Sequence, residues 1–175
     1  MAKTATYALI EARTLTTSTA SVTFSSIPGT YTDLVLVTSL RNVAGTSGDQ
    51  SLDLEVNGDT ATNYSFTQLY GNGTLASSNR VSSTTDYSSA GRVADGGTAS
   101  GTFSVNITNL LDYSNATTYK TFISRQNTAG NYVVISAGLW RSTSAITSIK
   151  LTDNSGSNFA SGSTFKLYGI QAGSN

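Results

Sequence analysis

Few side chains of this sequence could carry out chemistry, and their spacing fits no common catalytic arrangement. The chain has no Cys and no His, which removes thiolate and imidazole chemistry. A serine nucleophile would need a lysine as its base, and three of the four Lys (Lys120, Lys150 and Lys166) fall in predicted strands with outward alternation. We therefore do not expect a Ser–Lys catalytic dyad.

Carboxylates are the remaining candidates for acid–base catalysis or for a metal site. Asp53 and Glu55 are i, i+2 neighbours on the solvent face of one predicted strand, and Asp86 with Asp95 is the other pair. A glycosidase needs two carboxylates that face one bond, whereas Asp53 and Glu55 have the pattern of solubilising residues. Segment 153–158 (DNSGSN) resembles half of a calcium loop without its bidentate Glu, so a hairpin loop explains it better. The sequence thus predicts no enzyme, no cofactor and no metal.

Length and charge limit the remaining functional classes to which the protein could belong. With 175 residues, 18.2 kDa and a formal net charge of +0, the chain has the size of one domain and no basic stripe for nucleic acid. No apolar run is long enough to span a membrane. The first residues show no apolar leader, and the absence of Cys fits folding in a reducing cytoplasm.

The elements expected around these residues are strands. Short β-branched and aromatic runs recur between Gly, Asn, Asp and Ser clusters, with no helical crossover. We predict an all-β fold, an antiparallel β-sandwich that is jelly-roll-like, with about eight or nine strands. The predicted strands are 20–27, 32–40, 51–56, 64–70, 102–111, 119–125, 132–140, 146–152 and 164–171.

Two segments stand outside this rhythm. Residues 1–19 are predicted as an N-terminal arm on a single sandwich domain of residues 20–175, because Ala2 to Arg13 has no clear hairpin partner. Residues 75–100 are predicted as a long polar loop, with a short strand near residues 91–94, that is either a subunit contact or a mobile surface loop. The candidate subunit-contact residues in these segments are Thr4, Tyr7, Leu9, Arg80, Tyr87 and Arg92.

The last third of the chain carries a resemblance. Residues 137–151 (AGLWRSTSAITSIKL) and 163–170 (STFKLYGI) resemble a recurrent family of tailed-bacteriophage virion proteins, with a pattern near G-x-W-x-S-T-x-A-I-x-S-I-x-L. Shorter pieces upstream, such as 56–59 (VNGD) and 112–115 (DYSN), are similar to it in order and spacing. The resemblance runs from about Ala20 to Ile170 and does not extend over Leu75 to Ser100.

This resemblance implies a structural role on a phage particle and brings no catalytic residue. The expectation is a non-enzymatic capsid decoration (cement) protein, a homo-trimer that bridges major capsid protein subunits in virions assembled in the bacterial cytoplasm. Its motifs read as core anchors (Trp140, Ile146, Ile149 and Leu151) and as a last strand in which Gly169 permits close packing. The alternative is a tail fibre, baseplate or head-fibre component that binds host surface glycan through exposed Tyr and Asn.

Overall fold

The chain folds into two packed antiparallel β-sheets. The structure, a computed structural model, describes residues 6–45 and 48–171. Within these residues twelve strands form an eight-stranded and a four-stranded sheet, so the predicted all-β, jelly-roll-like sandwich is confirmed with more strands than expected. The chain crosses repeatedly from one sheet to the other, so many strands that pair within a sheet are distant from each other in the sequence.

The large sheet has the strand order β1-β12-β3-β8-β9-β10-β5-β6. Its strands, in chain order, are β1 (Tyr7–Thr14), β3 (Asp33–Leu40), β5 (Tyr64–Gly71), β6 (Ala76–Thr84), β8 (Ser104–Leu111), β9 (Lys120–Thr128), β10 (Tyr132–Trp140) and β12 (Thr164–Ile170).

The small sheet covers one side of the large sheet and has the order β2-β11-β4-β7. Its strands are β2 (Ser21–Phe24), β4 (Gln50–Val56), β7 (Tyr87–Val93) and β11 (Ile149–Asp153). Leu52, Leu54 and Val56 alternate inward on β4 and are fully buried, as their spacing predicts.

One hydrophobic core lies between the sheets and contains the anchors named from the sequence. Trp140, Ile146, Ile149 and Leu151 are all buried in it. A methyl group at Gly169 would lie 2.2 Å from the ring of Tyr31, so this strand glycine does permit close packing, as predicted. All nine predicted strands are present, with ends shifted by up to three residues.

The prediction of a separate N-terminal arm is wrong for its described part. Residues Tyr7–Thr14 form β1, which pairs antiparallel with β12 at the edge of the large sheet, and Ile10 packs against the core. The sequence pattern misses this strand because its partner lies at the other end of the chain, so no hairpin signal exists.

The prediction of a long polar loop at residues 75–100 is also wrong. Ala76–Thr84 forms β6 at the edge of the large sheet, and Tyr87–Val93 forms β7 at the edge of the small sheet. β6 is polar because most of its side chains face solvent. β7 has few large apolar residues because it lies too close to the large sheet to accommodate them: a methyl group at Gly91 would come within 2.8 Å of Asn106.

Candidate interaction surface

The outward-facing side of the large sheet is the most unusual surface of the molecule. Strands with one solvated face normally present polar side chains there. Here aliphatic side chains from four adjacent strands face solvent, with exposed fractions of 41–65%. They are Leu69, Val105, Ile123, Val133 and Ile135.

Strand register places these side chains in continuous rows across the sheet. The central row contains Lys166, Val37, Ile107, Arg125, Ile135, Leu69 and Ser78. One neighbouring row contains Tyr168, Val35, Asn109, Ile123, Ala137, Thr67 and Arg80. The other contains Thr164, Ser39, Val105, Asn127, Val133, Gly71 and Ala76. We call these three rows the outer face.

A trough of about 900 Å³ runs along the outer face between β5–β6 and β8–β10. The exposed surface of its walls is mainly apolar, and Arg125 is the one charged side chain among the residues that line it. Arg125 is exposed, and within the described residues it has no carboxylate at salt-bridge distance. The trough is therefore an apolar surface with an unpaired positive charge near its centre.

Apolar side chains point outward on β9 and β10 because polar ones are needed inside. Beneath these strands the backbone carbonyl of Ser89 on β7 is buried between the sheets, away from water. It accepts hydrogen bonds from Ser124 Oγ at 2.7 Å, Ser136 Oγ at 2.7 Å and Gln126 Nε2 at 2.5 Å. A buried carbonyl without a donor would cost free energy. The hydrogen bonds to this carbonyl hold Ser124, Gln126 and Ser136 on the inward side. Because side chains alternate along a strand, the residues between them, such as Ile123 and Ile135, face outward.

The predicted subunit-contact residues lie in different places. Tyr7 and Leu9 are exposed on β1, where Leu9 pairs with Tyr168 of the outer face and Tyr7 packs edge-on against the Tyr168 ring at 6.3 Å. Arg80 is exposed on β6 and belongs to the outer face. Their role in subunit contact stays a prediction, and Thr4 lies outside the described residues.

Two of the predicted contact residues are not free surface groups. Tyr87 is fully buried, and its hydroxyl bonds with Ser124 Oγ and Ser136 Oγ at 2.9 and 2.6 Å, so the expectation of an exposed contact there is wrong. Burial raises the pKa of this phenol. Arg92 is half-buried, with its guanidinium 4.6 Å from the centre of the Tyr132 ring.

The carboxylates form a different cluster from the ones considered in the sequence. Asp53 lies on the outward side of the small sheet, opposite the outer face, and accepts from Asn154 Nδ2 at 3.0 Å. Burial, and then the nearby charge of Asp86, raise the pKa of Asp53 to about 7. Asp95 is instead buried, and its Oδ1 accepts from Gly97 N at 2.5 Å. The cluster is Asp53 with Asp86, a pairing that sequence spacing did not suggest.

Lys120 departs from its predicted outward orientation. It is fully buried, and its Nζ donates to the carbonyls of Thr118 at 2.7 Å and Thr143 at 3.2 Å. Burial lowers the pKa of this ammonium group. Lys120 therefore ties the start of β9 to the segment after β10.

The half calcium loop is a turn, as the sequence suggested. Asp153 is buried and accepts from Asn42 Nδ2 at 2.9 Å and from Ser155 N at 2.7 Å. Across residues 6–45 and 48–171 no group of three or more acidic residues is placed to hold a metal ion. The same residues contain no helix with the length and hydrophobicity needed to cross a membrane.

Sequence reasoning missed the outer face itself. A usable signal was present in β10 (YVVISAGLW), where apolar residues occupy both alternations, as they also do in β3. Such a strand is normally covered on both sides. In this structure, among the described residues, only the inward side of β10 is covered by the small sheet.

Comparisons with known proteins add little to this description. No protein-family model matches the sequence, and no curated protein matches it. Among solved structures, the chain is similar to the CBM40 of the Ruminococcus gnavus IT-sialidase bound to alpha2,6 sialyllactose. The two share 14% identity over 94% of this chain and 95% of that chain, with a TM-score of 0.38, which is too low to bear on function.

Proposed function

We propose that this protein is a non-enzymatic structural component of a tailed-phage particle, namely a capsid decoration protein that bridges neighbouring major capsid subunits. The observation that carries the proposal is the outer face, whose exposed aliphatic side chains lie contiguously on one sheet surface. Large exposed apolar patches on soluble domains mark sites of contact with other macromolecules. The sequence resemblance supplies the phage particle as the setting.

The chemistry of the outer face favours a protein partner over a host glycan. Sugar sites in β-sandwiches combine aromatic stacking with polar hydrogen bonds. The central row instead presents Ile107, Ile135 and Leu69, and its neighbours add Ile123 and Val133. Branched aliphatic side chains of this kind pack against other apolar side chains in protein interfaces.

A decoration protein of this kind would act by mass action. A domain that binds only the assembled lattice stabilises it over free subunits, by about 2.7 kcal/mol per site when its free concentration is roughly a hundred times its Kd. A trimer on a local symmetry axis would contact several capsid subunits at once, and the contacts would reinforce one another. Among residues 6–45 and 48–171 no further strand pairs with β1 or β6 at the two edges of the large sheet, so these edges offer places for strand addition between subunits.

Binding to particles assembled without this chain tests the proposal. Val133→Asp places a carboxylate on the outer face at a side chain that is 65% exposed, so folding should be unaffected while binding falls by at least about tenfold. Val43→Asp is the matched control, because Val43 is 55% exposed in the loop after β3, outside the outer face. Equal binding by both variants would contradict the proposal.

The number of copies per virion separates the two phage roles. A decoration protein should approach one copy per major capsid subunit, or one trimer per capsid symmetry position, by quantitative mass spectrometry. A handful of copies, together with specific binding of the isolated chain on a glycan array, would favour the tail or head-fibre alternative.

A further inference from the structure

We infer that the outer face binds a protein surface that is apolar and carries a carboxylate opposite Arg125, and that this partner is not a second copy of the chain. The inference rests on the proposed structural role and specifies the chemistry of the capsid surface that would be bound. It depends on three observations: the extent of the face, its charges and the position of Arg125.

The outer face is large enough for a stable interface. Eight strands of seven to nine residues make up the sheet. Seven spacings of about 4.8 Å across and three rows of about 6.8 Å along the strands give about 700 Å² for the outer face. A standard protein–protein interface buries about 800 Å² on each partner. One docked partner could therefore cover the whole face.

The charges of the outer face have one sign. Its three rows contain Arg125, Lys166 and Arg80, all exposed, and no Asp or Glu. The residues of β1 that pair with these rows (Leu9, Ala12 and Thr14) add no carboxylate. The overall neutrality of the chain thus does not extend to this surface.

This asymmetry argues against self-docking. Two copies joined through the same face would bring cations together with no carboxylate between them, and like-charge juxtaposition opposes association. A partner with an apolar surface and an acidic group has the complementary pattern. The position of Arg125 sets where that group must lie, because Ile107 and Ile135 flank it in register. Its guanidinium can bind a carboxylate through two parallel hydrogen bonds.

The experiment compares variants of Arg125 in binding to particles assembled without this chain. Arg125→Glu should weaken binding by about tenfold or more, and Arg125→Lys should weaken it less, because the charge is kept and the paired hydrogen bonds are lost. Raising the salt concentration should weaken wild-type binding more than Arg125→Gln binding. Lys150→Glu is the charge-reversal control on the small sheet. It breaks an ion pair with Glu55 at 3.3 Å but lies away from the outer face, so it should bind like wild type.

The outcomes separate this inference from the proposed function. If Val133→Asp abolishes particle binding while Arg125→Glu and salt leave it unchanged, the docking face stands and the acidic partner is refuted. If the wild-type chain does not bind such particles, both proposals fail. If the free chain sediments as an oligomer that Val133→Asp dissociates, the face joins two copies and the inference is overturned.

Discussion

The close packing of β7 on the large sheet can be tested at Gly138 of β10. A methyl group at this position would lie 2.6 Å from Cε2 and 2.8 Å from Cδ2 of the buried Tyr87 ring. Reaching the 3.4 Å at which ordinary contact begins requires the ring to move by about 0.8 Å. Gly138→Ala should therefore destabilise the fold by overpacking.

The ring has little freedom to make this movement. Phe122 stacks on Tyr87 at 5.3 Å and Phe66 packs edge-on at 6.0 Å. The Tyr87 hydroxyl is held by Ser124 and Ser136, and a shift of this size would stretch both hydrogen bonds. Overpacking typically costs about 1–3 kcal/mol of unfolding free energy. We expect Gly138→Ala to cost about 3 kcal/mol, because Phe122 and Phe66 leave the Tyr87 ring no space to move.

Urea unfolding followed by fluorescence measures this cost directly, because Trp140 is the sole tryptophan and lies two residues away. Gly71→Ala on β5 is the matched control: its methyl group would meet nothing nearer than 3.7 Å, so its cost should stay under about 0.5 kcal/mol. In a Tyr87→Ala background, Gly138→Ala should become nearly neutral. An equal cost in both backgrounds would refute the packing argument.

Two further predictions concern the cluster on the small sheet and a turn. Because the pKa of Asp53 is raised to about 7 beside Asp86, the folded state holds a proton that the unfolded state releases near pH 4. The free energy of unfolding should fall as the pH rises from about 4 to 7, by about 1–2 kcal/mol after solvent screening, and Asp53→Asn should flatten this dependence in urea titrations. Asn57 has a φ of 54° and bonds Thr147 N and Ala145 O, both at 2.8 Å. Asn57→Ala should cost about 2–3 kcal/mol in thermal unfolding, and Asn57→Gly less, since glycine tolerates the positive φ; equal costs would contradict the backbone argument.

Most of the fold could be predicted from local patterns. The alternation of Leu52, Leu54 and Val56 defines β4 and its buried side, and the apolar run of β3 marks a central strand. The strands that were missed depend on distant partners. β1 pairs with a strand about 150 residues away, and β7 is held by side chains of the facing sheet.

The outer face was unpredictable for a related reason. On β9, the predicted outward orientation of Lys120 would by alternation place Ile123 inside and Ser124 outside, which is the reverse of the observed orientation. The orientation follows only once the Ser89 carbonyl is known to lie against this strand. Tyr87 was misplaced by the same omission, because its polar neighbours in sequence resemble a loop while its side chain fills the core.

The hydrogen bonds from Ser124, Gln126 and Ser136 to the Ser89 carbonyl have a further consequence for β9 and β10. The inward residues of these strands are constrained by folding, whereas the outward residues are constrained only by what binds the outer face. One alternation of each strand maintains folding, while the other makes no contribution to the inter-sheet contacts. Substitutions at positions such as Ile123 and Ile135 can therefore accumulate without unfolding the chain, so a partner surface that drifts can be followed by compensating changes. The same independence makes these outward positions suitable for engineering new binding specificities onto an unchanged scaffold.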